Sequence, residues 1–237
     1  MLGMLLARRR WNALWRDALL VSSKDLRIEF RSRVTTTQVA PYAVLVLVLF
    51  GFAFDQDQNL LTKAAAGLFW VAVLLSSLLA VQRSYAIEAT DGARDSLRLS
   101  GLDPAGIFLG KTLAVVAELL ILEVLLGFGV VVLFGIQLHD PALLVVTCLA
   151  ASVGLAAAGI LYGMIAAGLR VRETLLPLLI LPVVAPVLLG ATQAWMAALG
   201  TAGGGTDGWR WLSLLVSFTV IYIAAGSLAF SILVEES

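Results

Sequence analysis

Two acids, Glu118 and Glu123, interrupt a run of the chain that is otherwise apolar. If the run begins as a helix near Thr112, they lie about 9 and about 16 Å along its axis. Glu123 then approaches the middle of a hydrocarbon core about 30 Å thick. A separation of five residues turns them about 140° apart, so they face different neighbours and form no acid/base dyad. A carboxyl at that depth must face protein or water or hold a proton, which makes both acids intramembrane functional candidates. The plainer alternative for each is a neutral acid hydrogen-bonded to a neighbouring helix.

Other residues capable of chemistry are few. Cys148 is the one cysteine and lies in an apolar run, so neither a disulfide nor a thiolate metal site forms within one chain; it reads as a small packing residue. His139 is the one histidine and stands beside Asp140 in a short loop over 137–141. A metal or haem site needs several converging ligands, so His139 reads as an exposed loop residue and no metal is expected. The sequence holds no Gly-rich phosphate loop, no Ser/His/Asp arrangement and no paired soluble carboxylates. No catalytic residue is assigned, and the chain does not read as an enzyme.

The elements that place these residues follow from composition. With 60% hydrophobic and 14% charged residues and a mean hydropathy of +0.97, the chain reads as an integral membrane protein. Six runs meet or approach the ~20 residues a spanning helix requires: 34–54, 64–81, 112–136, 142–169, 174–199 and 211–234. They are apolar all round rather than alternating, which selects helices over a barrel. The expected fold is an all-α membrane protein with six transmembrane helices forming one domain over 34–237.

Charge placement orients it. Of the 16 Lys and Arg residues, all but Lys63 and Arg210 fall in the amino-terminal stretch, in the segment 82–111, or at Arg170 and Arg172. Those regions and both termini are therefore expected in the cytoplasm. The zero net charge says nothing about partners, and no nucleic acid is implied.

Residues 1–33 pair a basic cluster with broken apolar character and no small-residue cleavage site, unlike a secretory signal. Trp11, Leu14, Trp15, Ala18 and Leu19 recur at helical spacing, predicting an amphipathic helix in the cytoplasmic interface, with a second short helix over 23–30. A solvated basic tail is the alternative. Gly159 and Gly163, extended by Ala156 and Ala167, form a helix-packing stripe whose partner, within the chain or across a dimer, is open. Pro177, Pro182 and Pro186 predict a kinked or broken fifth span. Residues 200–208 form a Gly-rich external turn, and 191–199 a short external or re-entrant helix.

The polar segment 82–111 lies between the second and third spans. A break at Asp91-Gly92 and a Gly/Pro turn at 100–104 frame a short amphipathic piece, whose Leu97, Leu99 and Leu102 suit a groove on a soluble protein. An ordinary interfacial loop is the alternative.

The run 68–113, the stretch Lys24-Asp-Leu-Arg-Ile-Glu-Phe-Arg-Ser-Arg33 and the stretch Leu176-Pro-Leu-Leu-Ile-Leu-Pro-Val-Val-Ala-Pro-Val187 resemble the B subunit of the cytochrome c maturation system (CcmB), a haem-exporter-type ABC transporter permease. The resemblance covers the chain from about Ser23 onward. It implies an ABC-2 or type V exporter-like fold with a cytoplasmic coupling helix between spans 2 and 3. It also implies a homodimer seated on two copies of a separate ATPase subunit (CcmA-like), which would hold ATP and Mg. Further implied partners are a haem-handling CcmC-like subunit, a small CcmD-like subunit and a periplasmic CcmE-like haem chaperone. Haem is the implied cargo, and release of the haem-loaded chaperone the implied ATP-linked event. Glu88, Asp91, Gly92, Leu97, Leu99 and Leu102 are the coupling candidates. Two alternatives share the sequence features: an ABC-2-type exporter permease for a lipid, polysaccharide or drug, and an ion-coupled carrier using Glu118 and Glu123. The carrier lacks the internal repeat common in its class.

Overall fold

A computed structural model describes residues 2–32, 39–53, 58–89, 101–135, 138–167, 172–201 and 207–236. Every regular element among them is helical: α1 (Leu2–Ser32), α2 (Ala40–Ala53), α3 (Gln58–Ala89), α4 (Pro104–Phe134), α5 (Pro141–Ala167), α6 (Arg172–Ala198) and α7 (Gly208–Glu236). Five contain stretches long and apolar enough to cross a membrane, over Leu60–Ala86, Pro104–Phe134, Pro141–Ala166, Leu175–Ala198 and Gly208–Phe230. The chain is an all-α membrane protein. Its first apolar run contributes the shorter α2, with 14 residues, about 21 Å of helix.

Four boundaries differ from expectation. The amino-terminal region is one helix of 31 residues rather than two. It has no Gly or Pro after Gly3, and the Ser22 and Ser23 hydroxyls fold back onto the carbonyls of Leu19 and Leu20 at 3.2 and 2.9 Å, so nothing interrupts it. The polar segment 82–111 is shortened from both ends: α3 continues to Ala89 and α4 begins at Pro104. Asp103 caps α4, accepting from the Ala105 amide at 2.9 Å, with Pro104 at the first helical position. The stretch 90–100, which includes Asp91, Gly92, Leu97 and Leu99, lies outside the described residues, as do the side chain of Glu88 and Gly204 in the external turn.

The remaining two corrections concern α6. It is continuous through Pro177, Pro182 and Pro186, which removes the broken form of the kinked-or-broken expectation, and 191–198 prolongs it instead of forming a separate re-entrant helix. Each proline removes one helical donor. In the same stretch the Tyr222 hydroxyl of α7 donates to the Val183 carbonyl at 2.5 Å, tying α6 to α7.

Helix α5 is the hub, packing against α3, α4, α6 and α7. Its small residues permit that. A β-carbon at Gly159 would stand 2.5 Å from Val81, and one at Gly163 would collide with the Tyr85 ring. The partner of the Gly159/Gly163 stripe is therefore α3 of the same chain. Tyr85 fastens the crossing by donating to the Ile160 carbonyl at 2.6 Å. Toward the other end of the bundle Phe69 stacks on Trp195 with centroids 3.9 Å apart, and Trp70 meets both edge-on. These rings join α3 to α6 and account for much of the apolar burial there.

Candidate functional site

Helix α4 carries two polar sites on different sides. The first joins it to α1 and α3. Gly106 and Gly110, four residues apart on α4, let the α1 backbone approach: a β-carbon at Gly110 would lie 2.6 Å from the Ala18 carbonyl and 2.7 Å from Val21 Cβ. Asp17 of α1 accepts from the Asp103 amide at 3.2 Å, tying α1 to the start of α4. One turn after Gly106, Lys111 is 1% exposed. Its ammonium donates to Ser84 Oγ at 3.2 Å, lies 3.6 Å from the Asp25 carboxylate and sits 5.2 Å from the centre of the Tyr85 ring. Arg83 of α3 grips Glu29 of α1 through both guanidinium nitrogens. Glu118 is half-buried and within electrostatic reach of Glu29, Arg83 and Asp25.

Helix α1 therefore docks by an acidic edge: Asp25 meets Lys111 of α4, Glu29 meets Arg83 of α3, and Asp17 meets the Asp103 amide that precedes α4. The apolar stripe read from its sequence is divided: Ala18 is buried against α4, while Trp15 and Leu19 remain exposed. Leu102, expected as an anchor for a soluble partner, is half-buried against the core of the chain itself.

The second site faces α5. Glu123 is 4% exposed, and Ser152, itself fully buried, donates to its Oε1 at 2.6 Å. Among the described residues Oε2 makes no hydrogen bond of good geometry, the Cys148 thiol being the nearest group that could donate to the carboxyl. Cys148, one turn before Ser152, is the adjacent polar group, and its sulfur accepts from the Trp195 indole at 3.3 Å. Glu123, Cys148 and Trp195 line a cavity of about 590 Å³ whose other walls are apolar, extending to Leu138 and Leu199. The angular separation inferred for the two acids is thus realised: Glu118 turns toward α1 and α3, Glu123 toward α5 and α6.

His139 and Asp140 form a capping turn. The amides of both donate to the Ala198 carbonyl at 3.0 Å, and Asp140 Oδ1 accepts from the Leu143 amide at the start of α5. Among the described residues no three His, Cys, Asp or Glu side chains converge as metal ligands. The residues that sequence reading missed are Asp17, Asp25, Glu29, Arg83, Lys111, Ser152 and Trp195. Only the Gly106/Gly110 spacing gave a readable sign of the first site, and it stood in a stretch read as loop.

Residues 16–237 match the family described as "CcmB protein". Proteins named "Heme exporter protein B" are similar over most of the chain. That of Paracoccus denitrificans is 29% identical over 216 residues, covering 90% of this chain and 94% of its own. That of Haemophilus influenzae is 30% identical, covering 76% and 81%, and that of Pseudomonas aeruginosa 28% identical, covering 87% and 94%. With nearly its whole length matched, the chain belongs to the CcmB protein family.

Proposed function

We propose that this chain is the permease subunit of an ABC transporter for c-type cytochrome biogenesis, linking ATP hydrolysis on a separate subunit to haem export or to release of a haem-loaded chaperone. The observation that carries this reading is the similarity of almost the whole chain to proteins named "Heme exporter protein B". In this reading α2 completes a set of six spans in the bacterial inner membrane, with both termini and 90–100 in the cytoplasm. Two copies pair over two CcmA-like ATPase subunits and associate with CcmC-, CcmD- and CcmE-like partners.

The helices flanking 90–100 support a coupling role for that segment. It leaves from the end of α3 that holds Arg83, Ser84 and Tyr85, and re-enters at the end of α4 that holds Asp103, Gly106 and Lys111. Displacing it through Glu88, Asp91, Gly92, Leu97, Leu99 or Leu102 would load the ion pairs that hold α1. Pull-down of a tagged copy from native membranes tests the reading: it should bring down an ABC ATPase, and deleting the gene should abolish holocytochrome c. A pull-down without an ATPase and unchanged holocytochrome c would overturn it.

A further inference from the structure

The cavity beside Glu123 is not required by the coupling path, and its chemistry is specific. At about 590 Å³ it has the size of a small-molecule site, and such sites combine apolar walls with a few placed polar groups. Leu120, Val130, Leu144 and Leu199 supply walls, with no Lys, Arg or His among the lining residues described. An anionic ligand would therefore meet a carboxyl and no counter-charge. Glu123 is the wall residue with hydrogen-bonding capacity to spare: Ser152 occupies Oε1, while Oε2 is buried and makes no hydrogen bond of good geometry among the described residues. A buried polar group in that condition is unfavourable, and a ligand that supplies a donor relieves it. Access is lateral. Val124, Phe128 and Val145, all exposed on the outward faces of α4 and α5, border the cavity, so an occupant reaches it from the lipid phase.

We propose that this cavity binds a lipophilic molecule with one hydrogen-bond donor, an amine or hydroxyl on an alkyl or isoprenoid body, whose donor meets Glu123 and whose body lies along α4 toward Leu138. The site stands independently of the ATPase reading, and its test reads binding rather than cytochrome assembly.

The purified full-length chain in nanodiscs is irradiated with diazirine-bearing dodecylamine, dodecanol or dodecanoic acid, and adducts are mapped by mass spectrometry. Amine and alcohol should label peptides of α4 and α5 around Val124 and Val145 saturably, in about tenfold excess over the acid, the ratio one well-placed hydrogen bond confers. Peptides of α7, whose exposed Val220, Ile221 and Leu228 face outward, report the unsaturable background. Glu123→Gln should remove most of the preference for amine over acid. Val124→Trp, which leaves the carboxyl in place and fills the mouth, should lower labelling by amine and alcohol alike. Labelling by the acid equal to the amine, a signal that does not saturate, or a preference indifferent to Glu123→Gln would each overturn the proposal. Loss of all labelling in the assembled complex would overturn it too, since a partner's transmembrane segment would then occupy the cleft.

Discussion

Arg83 and Glu29, 54 positions apart in sequence, meet in a two-pronged ion pair with nitrogen–oxygen distances of 2.8 and 3.1 Å. Both side chains are largely shielded from solvent, so removing one deprives the other of a buried charge-assisted contact. Glu29→Ala should lower stability by about 2 to 3 kcal/mol. Thermal unfolding in detergent measures this. The double variant Glu29→Leu with Arg83→Met should recover a large part of the loss, because no charge then remains that has lost this contact.

Gly110 marks a close approach between α1 and α4. Gly110→Val drives a side chain into the Ala18 carbonyl and Val21 and should displace α1, at a cost of about 1 to 3 kcal/mol. Limited proteolysis should then cut within 13–32 where the parent chain resists. Gly67→Ala, with open space around it, should be neutral or stabilising by up to about 1 kcal/mol. Resistance to proteolysis in both variants would mean that α1 is not held by this crossing.

Coupling through the segment 90–100 predicts that Leu97→Asp together with Leu99→Asp abolishes cytochrome c assembly while the protein stays inserted and abundant. Coprecipitation with the ATPase and haem staining of periplasmic cytochromes are the readouts. Undiminished ATPase association and activity would remove the docking role.

Orientation is open to labelling. Cysteines introduced at Asp57 and Gly204 should react with an impermeant thiol reagent applied from outside, and one at Gly101 should not. The opposite pattern would invert the topology.

For Glu123, Gln retains the shape and the hydrogen bond from Ser152 but cannot ionise. Glu123→Gln should leave complex yield unchanged and reduce holocytochrome c several-fold, whereas Glu123→Asp should keep partial activity. Normal holocytochrome c in the Gln variant would make Glu123 a packing residue. Glu118→Gln belongs in the same experiment because Glu118 faces Arg83 and the acids of α1 rather than α5.

Periodicity and composition located the long apolar helices, the opposed facing of Glu118 and Glu123 and the stripe at Gly159 and Gly163, because each is a local pattern with the helical repeat. The docking of α1 left no such trace. Its partners pair residue 17 with 103, 25 with 111 and 29 with 83, and charges paired across that much chain look like ordinary solvated residues. The continuity of α6 through three prolines was hidden as well, because it depends on packing against α5 and α7, which no local pattern reports. The role of Ser152 was equally silent, since a lone serine in an apolar run signals nothing until the carboxyl opposite is known.

Val81 and Tyr85 already fill the hollow over Gly159 and Gly163. A motif search for a self-association seam would point to this glycine pair, yet no second copy can enter it without first prying α3 away. Engineering a monomer by bulking these glycines would therefore dismantle the protomer rather than separate two of them.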